Sequence, residues 1–331
     1  MDHPQLRAAL EAVRDACLIA RQVQQRTEEI RQASKDDRSP VTVADYAVQA
    51  VCALALANVE PNLKLVGEEQ SEILRRGEND DLCAAVVETV RMVVPKISTT
   101  AVLDAIDMGA HDGSAARFWT LDPIDGTKGF LRGGQYAIAL GLIENGTVSL
   151  GFMGCPNLPA KIDAPIDAGD SRGVIYAAMR ENGAWSYDGE DTTISPKPIA
   201  IRRAEGPFRI CESVEASHSR HSDTARLAHA IGGESTSVRA DSQCKYALVA
   251  RGQADAYLRF PTSKSYVEKI WDHAAGFLVA TEAGAIVTDI SGAKLDFNHG
   301  RLLEKNRGII CATPAYHADI INLIKSFGIA D

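Results

Sequence analysis

The sequence predicts an α+β fold divided into two domains, and three observations carry that prediction. At 331 residues the chain exceeds the roughly 250–300 residues that one hydrophobic core usually organises. Two β-hairpins are signalled by Asn-Gly dipeptides: Asn145-Gly146 joins runs 136–143 and 147–153, and Asn182-Gly183 joins runs 174–179 and 184–187. Antiparallel pairing on that scale argues against a doubly wound parallel sheet. Residues 189–200 are polar and hold Pro196 and Pro198, which sets a boundary near residue 200 between a first domain (1–200) and a second (201–331).

Taken in order, residues 4–30 carry Leu6, Leu10, Val13, Cys17, Ala20 and Val23 three or four apart, the spacing of an amphipathic helix. Ser39-Pro40 breaks that pattern. A second helix follows over about residues 45–59, with Ala47, Val51, Leu54 and Ala55 on one face and Asp45 near its start; Pro61 ends it. Residues 63–66 read as a short strand delivering Gly67-Glu68-Glu69. Residues 70–118 are less regular, with helical spacing over 82–93 and a loop over 109–113, and are expected to form an insertion or lid. Phe118, Trp119 and Leu121 then mark a buried strand ending at Asp122, where Pro123 turns the chain sharply. Between the hairpins, residues 161–173 form a loop rich in Asp, Pro and Gly. The second domain should hold strands at 209–211, 256–259, 285–288 and 308–312. Its helices are expected at 222–231, at 272–282 (closed by Gly284), and after Pro314, where Ala318, Ile320, Ile321 and Leu323 line up.

The net charge of −9 and pI near 5.4 argue against nucleic acid as the main partner. An acidic protein still binds an anionic ligand where metal ions and a few local Lys or Arg residues invert the field. Seven scattered cysteines without a CxxC pair suggest buried thiols in a reducing compartment, neither a disulfide frame nor a zinc site. There is no basic-then-apolar leader and no apolar run near the ~20 residues that span a bilayer. The sequon Asn145-Gly146-Thr147 reads as a hairpin turn, and a cytoplasmic location without membrane association is the expectation.

Chemistry concentrates in Trp119-Thr-Leu-Asp-Pro-Ile-Asp-Gly-Thr-Lys-Gly-Phe130. A turn at Pro123 can aim the Asp122 and Asp125 carboxylates and the Ile124 carbonyl at one point, an oxygen site for a hard divalent cation. Gly126, Thr127 and Lys128 can offer N–H groups and a hydroxyl to a phosphate. Three further carboxylates stand at element ends: Asp45, Glu68 and Asp272. Each has a bland alternative, since Asp45 and Asp272 could cap helices and Glu68 could be solvated. In the second half, Ser242 and Lys245 lie one helical turn apart, and Arg259 can supply a fork to phosphate oxygens. As isolated residues, Lys245 and Arg259 would equally serve as surface charges.

The ordered set GEE, DPIDGT and WDHAAG resembles the lithium-sensitive, magnesium-dependent phosphomonoesterases of the inositol monophosphatase superfamily, over nearly the whole chain. Within it, RFW before the central motif, DPIDGTKGFLRG through it, GCPN at 154–157 and SYVEKIWDHAAG at 265–276 look like the 3′(2′),5′-bisphosphate nucleotidases. The resemblance implies a layered α/β/α/β/α sandwich of two domains, like that of inositol monophosphatase and fructose-1,6-bisphosphatase. It implies Glu68, Asp122, the Ile124 carbonyl, Asp125 and Asp272 as ligands of about two or three Mg²⁺ ions. Inhibition is expected from Li⁺, with Na⁺ and Ca²⁺ as further candidates. Asp45 and Thr127 become the pair that orients and deprotonates the attacking water, so hydrolysis is direct. Gly126, Thr127 and Asp272 also face the substrate; Ser242, Lys245 and Arg259 hold a 5′-phosphate, and His218 lies by the adenosine. His273 is read as structural. The implied substrate is adenosine 3′(2′),5′-bisphosphate (PAP), with 3′-phosphoadenosine 5′-phosphosulfate (PAPS) as a second, and the protein is expected to be a monomer. An inositol polyphosphate 1-phosphatase or sugar phosphatase is the nearest alternative activity, and a non-catalytic nucleotide sensor is the alternative from another class.

Overall fold

Helices α1 (Pro4–Ala33) and α2 (Pro40–Ala57) form the outer layer of a five-layer stack in a computed structural model. It describes residues 4–33, 40–201, 206–214, 221–232, 235–261, 263 and 265–329. The two helices pack on each other and on one face of the first sheet, burying Leu6, Val13, Ala16 and Ala20 against Ala44, Val48, Val51 and Leu56. Pro40 starts α2 instead of breaking the chain: its fixed φ and missing N–H suit the first helical position. Asp45 therefore lies in the second turn of α2, not at its cap.

The first sheet has the order β1 (Leu65–Gly67), β2 (Arg117–Asp125), β3 (Ala137–Glu144), β4 (Thr147–Cys155), β5 (Val174–Met179), β6 (Gly183–Asp188), β7 (Lys197–Ile199). β1 runs parallel to β2 and the other pairs are antiparallel. Both hairpins form; the first turns on Asn145-Gly146, while the second turns on residues 180–182 and takes Gly183 into β6. The polar stretch before residue 200 is not all linker, because Pro198 sits in edge strand β7, where its missing donor costs no ladder bond. Residues 70–118 are not a lid either. Helices α3 (Asp80–Arg91) and α4 (Thr99–Asp107) pack on α2 and bury Val86, Val90, Val102 and Ile106 in the same core.

α7 (Cys244–Ala250) and α8 (Ala274–Glu282) form the middle layer. α8 is apolar almost all round, as an element buried on two sides must be, and lies across β3–β6. On the other side stands a mixed sheet in the order β11 (Ile286–Thr288), β12 (Ile309–Ala312), β10 (Ala256–Arg259), β8 (Phe208–Glu212), β9 (Ser235–Arg239). α6 (His221–Gly232) and α9 (Pro314–Phe327) close the stack, with Ile320 and Ile324 of α9 packed in one core with Phe208, Ile210 and Ile310 of the sheet. The architecture is the layered α+β sandwich expected. One core spans the middle layer, joining Val66, Phe118 and Ala139 of the first sheet to Tyr246, Ile270 and Leu278. All seven cysteines are buried and free. None of the described helices is long and apolar enough to cross a membrane.

Candidate active site

Parallel pairing of β1 with β2 places Gly67 opposite Leu121, so Glu68 leaves its strand beside Asp122. β2 does not stop at Asp122: it continues to Asp125 through a register shift against β3, with Asp122 opposite Ala139 and Asp125 opposite Ala137. The predicted sharp turn at Pro123 is thus a β-bulge, a device that re-aims side chains without leaving the sheet. The Ile124 side chain stays in the core while its backbone lines the site.

Gly126 follows at φ +90°, opening the single-turn helix α5 (Thr127–Leu131). A Cβ added at Gly126 would lie 2.9 Å from the Ser242 Cβ, so glycine lets the two halves of the site touch. Ser242 itself adopts φ +66°, and its Oγ accepts from the Cys244 N–H at 3.1 Å. That turn aims the Gln243 N–H at Asp125 Oδ2, 2.6 Å away. The Gln243 side chain donates to Trp271 O at 2.8 Å and accepts from Gly276 N at 2.9 Å, which fixes the segment carrying Asp272.

Where these segments meet lies a cavity of about 470 Å³. Glu68, Asp122, Ile124, Asp125, Gly126, Thr127, Ser242, Lys245, Arg259 and Asp272 all line it. Neither Asp45 nor Asp272 occupies a helix-cap position. Asp45 is inside α2, and Asp272 precedes α8, whose cap position is His273. Glu68 keeps solvent-exposed surface, and that surface lines the cavity. Lys245 is 3% exposed, so it is no surface charge.

Asp45 and Thr127 sit on two helices that touch, α2 and α5. The Thr127 hydroxyl lies 3.5 Å from Ile124 O, while Asp45 is outside the cavity lining, with Glu69, Glu68 and Asp122 among its charged neighbours. His218 falls outside the described residues.

Electrostatics set the acidic wall apart. Burial, then Glu68, Asp125, Asp272 and Asp45, push the Asp122 carboxyl well above the usual range. Burial and the neighbouring Glu69 and Asp125 raise Glu68 to about 7. Asp272 rises to about 8 through burial, with Arg259 opposing and Asp125 adding repulsion. Asp125 is raised by burial and partly relieved by Lys245 and the Gln243 N–H. Clustered carboxylates of this kind need a counter-cation or protons.

The donor set fits a hard divalent cation. It is all oxygen, and Asp122 Oδ1 is buried without a hydrogen-bond partner. The fit is open: among the described residues, the three donor side chains whose ligand atoms lie within 4.8 Å of one another are Glu268, Asp272 and His273. Glu268 is already saturated there, by Arg259 Nε at 3.0 Å, Arg259 Nη2 at 2.9 Å and His273 Nε2 at 3.1 Å.

The cationic wall is equally built. Lys245 Nζ donates to Ala240 O at 3.3 Å and stands 5.2 Å above the Tyr257 ring. Sequence reasoning missed Gln243, Glu268, Arg301 and Tyr266. Arg301 donates to Gly67 O at 2.6 Å and to His111 O at 3.0 Å, and its guanidinium lies 4.8 Å over the Trp271 ring, tying the Glu68 and Asp272 segments together. No local periodicity marks Arg301. Gln243, Tyr266 and Glu268 did lie within the motif stretches DSQCKY and SYVEKIWDHAAG.

The chain is similar to known proteins over most of its length. The model of the inositol monophosphatase family matches residues 1–327. A 3′(2′),5′-bisphosphate nucleotidase from Emericella nidulans is 43% identical, covering 88% of this chain and 89% of that one. Proteins of the same name from Schizosaccharomyces pombe (41% identical, 84% and 82%) and Oryza sativa (39%, 97% and 93%) are similar too. Among solved structures, an inositol monophosphatase from Anabaena superposes with a TM-score of 0.62 at 16% identity, covering 97% and 95% of the two chains. CysQ from Bacteroides thetaiotaomicron gives 0.58 at 20% identity, with 93% and 96% covered. These two share the fold. Five layers, one ordered set of acidic motifs and a match along nearly the whole sequence agree: the chain belongs to the inositol monophosphatase family.

Proposed function

We propose that this enzyme hydrolyses the 3′- or 2′-phosphate of adenosine 3′(2′),5′-bisphosphate, giving AMP and inorganic phosphate. The observation that carries the reading is the polarity of one cavity, in which Glu68, Asp122, Asp125 and Asp272 share a space with Lys245 and Arg259. A nucleoside bisphosphate has two anionic ends: one must be attacked and one only held. Relatives at 39–43% identity bear the bisphosphate nucleotidase name.

In this reading Glu68, Asp122, the Ile124 carbonyl, Asp125 and Asp272 would hold Mg²⁺. Bound there, Mg²⁺ supplies neutralisation of the phosphate charge and lowers the pKa of water. Asp45 and Thr127 orient and deprotonate the attacking water. Asp45 suits that task because burial, Glu69 and Glu68 raise its carboxyl above an ordinary aspartate's range. Lys245 and Arg259, with the Ser242 hydroxyl, hold the 5′-phosphate, and His218 lies by the base. The division into domains falls near residue 200, between the last strand of the first sheet and the first strand of the second.

The test is phosphate release by the purified protein with Mg²⁺, with and without Li⁺. The substrates compared are adenosine 3′,5′-bisphosphate, its 2′,5′ isomer, PAPS, inositol 1-phosphate and inositol 1,4-bisphosphate. The bisphosphorylated nucleotides should give the higher kcat/KM, and Li⁺ should inhibit. Asp122→Ala and Asp125→Ala should abolish release, and turnover by either variant overturns the assignment.

A further inference from the structure

Arg259 stands between two carboxylates, closed on Glu268 and at the outer limit of ion-pair distance from Asp272, with its Nη2 also 3.4 Å from the Tyr266 hydroxyl. Glu268, 3% exposed, takes its Nε at 3.0 Å and its Nη2 at 2.9 Å. Asp272 Oδ2 lies 4.0 Å from that same Nη2. Glu268 is in turn anchored from behind: its Oε2 meets His273 Nε2 at 3.1 Å, and His273 Nδ1 meets the Tyr246 hydroxyl at 3.0 Å. His273 is fully buried, and Tyr246 packs edge-on against Tyr257, the ring beneath the Lys245 ammonium. A neutral imidazole that donates to Glu268 and accepts from Tyr246 satisfies every partner in this row.

A guanidinium beside a partly buried carboxylate that lacks another cation will pair with it if nothing holds the guanidinium elsewhere. We propose that Glu268, braced by His273 and Tyr246, is a positioning residue that keeps Arg259 off Asp272. Asp272 then stays available to a divalent cation, and the outer donors of Arg259 stay available to a phosphate. The roles of Asp272 and Arg259 rest on the phosphatase reading. The claim that Glu268 controls which carboxylate Arg259 pairs with can be read without substrate.

The test measures Mg²⁺ binding to the full chain by calorimetry without substrate, for native protein, Glu268→Gln and the double variant E268Q/R259Q. Removing one charged acceptor frees Arg259 to pair with Asp272, so Glu268→Gln should weaken Mg²⁺ binding by about 10-fold. The double variant has no arginine to capture Asp272 and should recover to within about 3-fold of native. A merely structural role for Glu268 would leave the double variant as weak as the single one, which overturns the proposal, as would native binding by Glu268→Gln. Should Glu268→Gln fail to fold, Tyr246→Phe replaces it, because it removes the hydroxyl behind His273 and keeps every charge. Mg²⁺ binding weakened about 3-fold supports the bracing row, and unchanged binding overturns it. With adenosine 3′,5′-bisphosphate, KM should stay raised about 10-fold in the double variant despite recovered Mg²⁺ binding. Weak activity of every form towards that nucleotide would overturn the substrate assignment and leave the Mg²⁺ result standing.

Discussion

Asp125 Oδ2 accepts a 2.6 Å hydrogen bond from the backbone N–H of Gln243, 118 residues further along the chain. That bond joins the acidic stretch to the segment bearing Ser242 and Lys245, and the Gln243 side chain passes the constraint on to Trp271 and Gly276. Gln243→Ala keeps the N–H but loses both side-chain bonds, leaving Trp271 O and Gly276 N buried. A loss of about 2–3 kcal/mol in denaturant-derived stability is expected. Unchanged stability would show that water replaces the amide.

Divalent cation should stabilise the fold. Glu68, Asp122, Asp125 and Asp272 all carry raised pKa values because burial and mutual repulsion oppose their charges. Binding to the folded state alone raises stability by about 2.7 kcal/mol at 100 times the dissociation constant. Thermal unfolding near pH 7.5 should show a higher Tm with saturating Mg²⁺ than with a chelator, and Asp122→Asn should shrink the difference. Equal Tm values would remove Mg²⁺ from this site.

Lys245→Ala should separate holding from chemistry. Its buried side chain lines the same cavity as the carboxylates. KM for adenosine 3′,5′-bisphosphate should rise by at least about 10-fold, with a much smaller effect on inositol 1-phosphate, which has no second phosphate. Equal effects on both substrates would place the 5′-phosphate elsewhere.

Gly129 is fixed by its surroundings. A Cβ there would lie 2.1 Å from Gln135 O and 2.9 Å from Asp241 Oδ2, and the first of these is backbone. Gly129→Ala should cost about 1–3 kcal/mol and shift the turn that carries Thr127. A native unfolding midpoint in the variant would contradict this packing.

Acid should weaken the Glu268 network in a defined window. Burial raises the Glu268 carboxyl, but the His273 hydrogen bond and Arg259 outweigh it and bring the pKa down to about 2. In the unfolded chain a glutamate titrates near about 4.3. A depressed folded pKa gives stability that is full above the unfolded value and is lost as pH falls through the folded one. The Tm gap between native protein and Glu268→Gln should therefore stay constant above about pH 5 and close towards about pH 2–3. A gap that widens on acidification would reverse the assignment.

Much of the fold was legible because its signals are local. Asn145-Gly146 and the apolar spacing of α1 act over a few residues, and those elements appear where the sequence places them. Within residues 70–118 the spacing over 82–93 did mark α3, but that α3 and α4 pack on α2 and do not form a lid was not legible, because local periodicity does not say which surface an apolar face covers. Asp45 read as a helix start because the proline before it looks like a breaker, yet at the first helical position proline fits.

By itself the sequence determined the chemical types: acidic motifs in a fixed order, an Asp-Pro-Ile-Asp-Gly-Thr turn, and Lys245 and Arg259 downstream. Only the tertiary structure decided which of these groups meet and which are already engaged. It set Glu268 closer to Arg259 than Asp272 is, and placed Gln243 between Asp125 and Trp271. The physical reason is that hydrogen bonds and ion pairs act over about 3–4 Å. Partners more than a hundred residues apart acquire that separation only when the two sheets close on the shared middle layer.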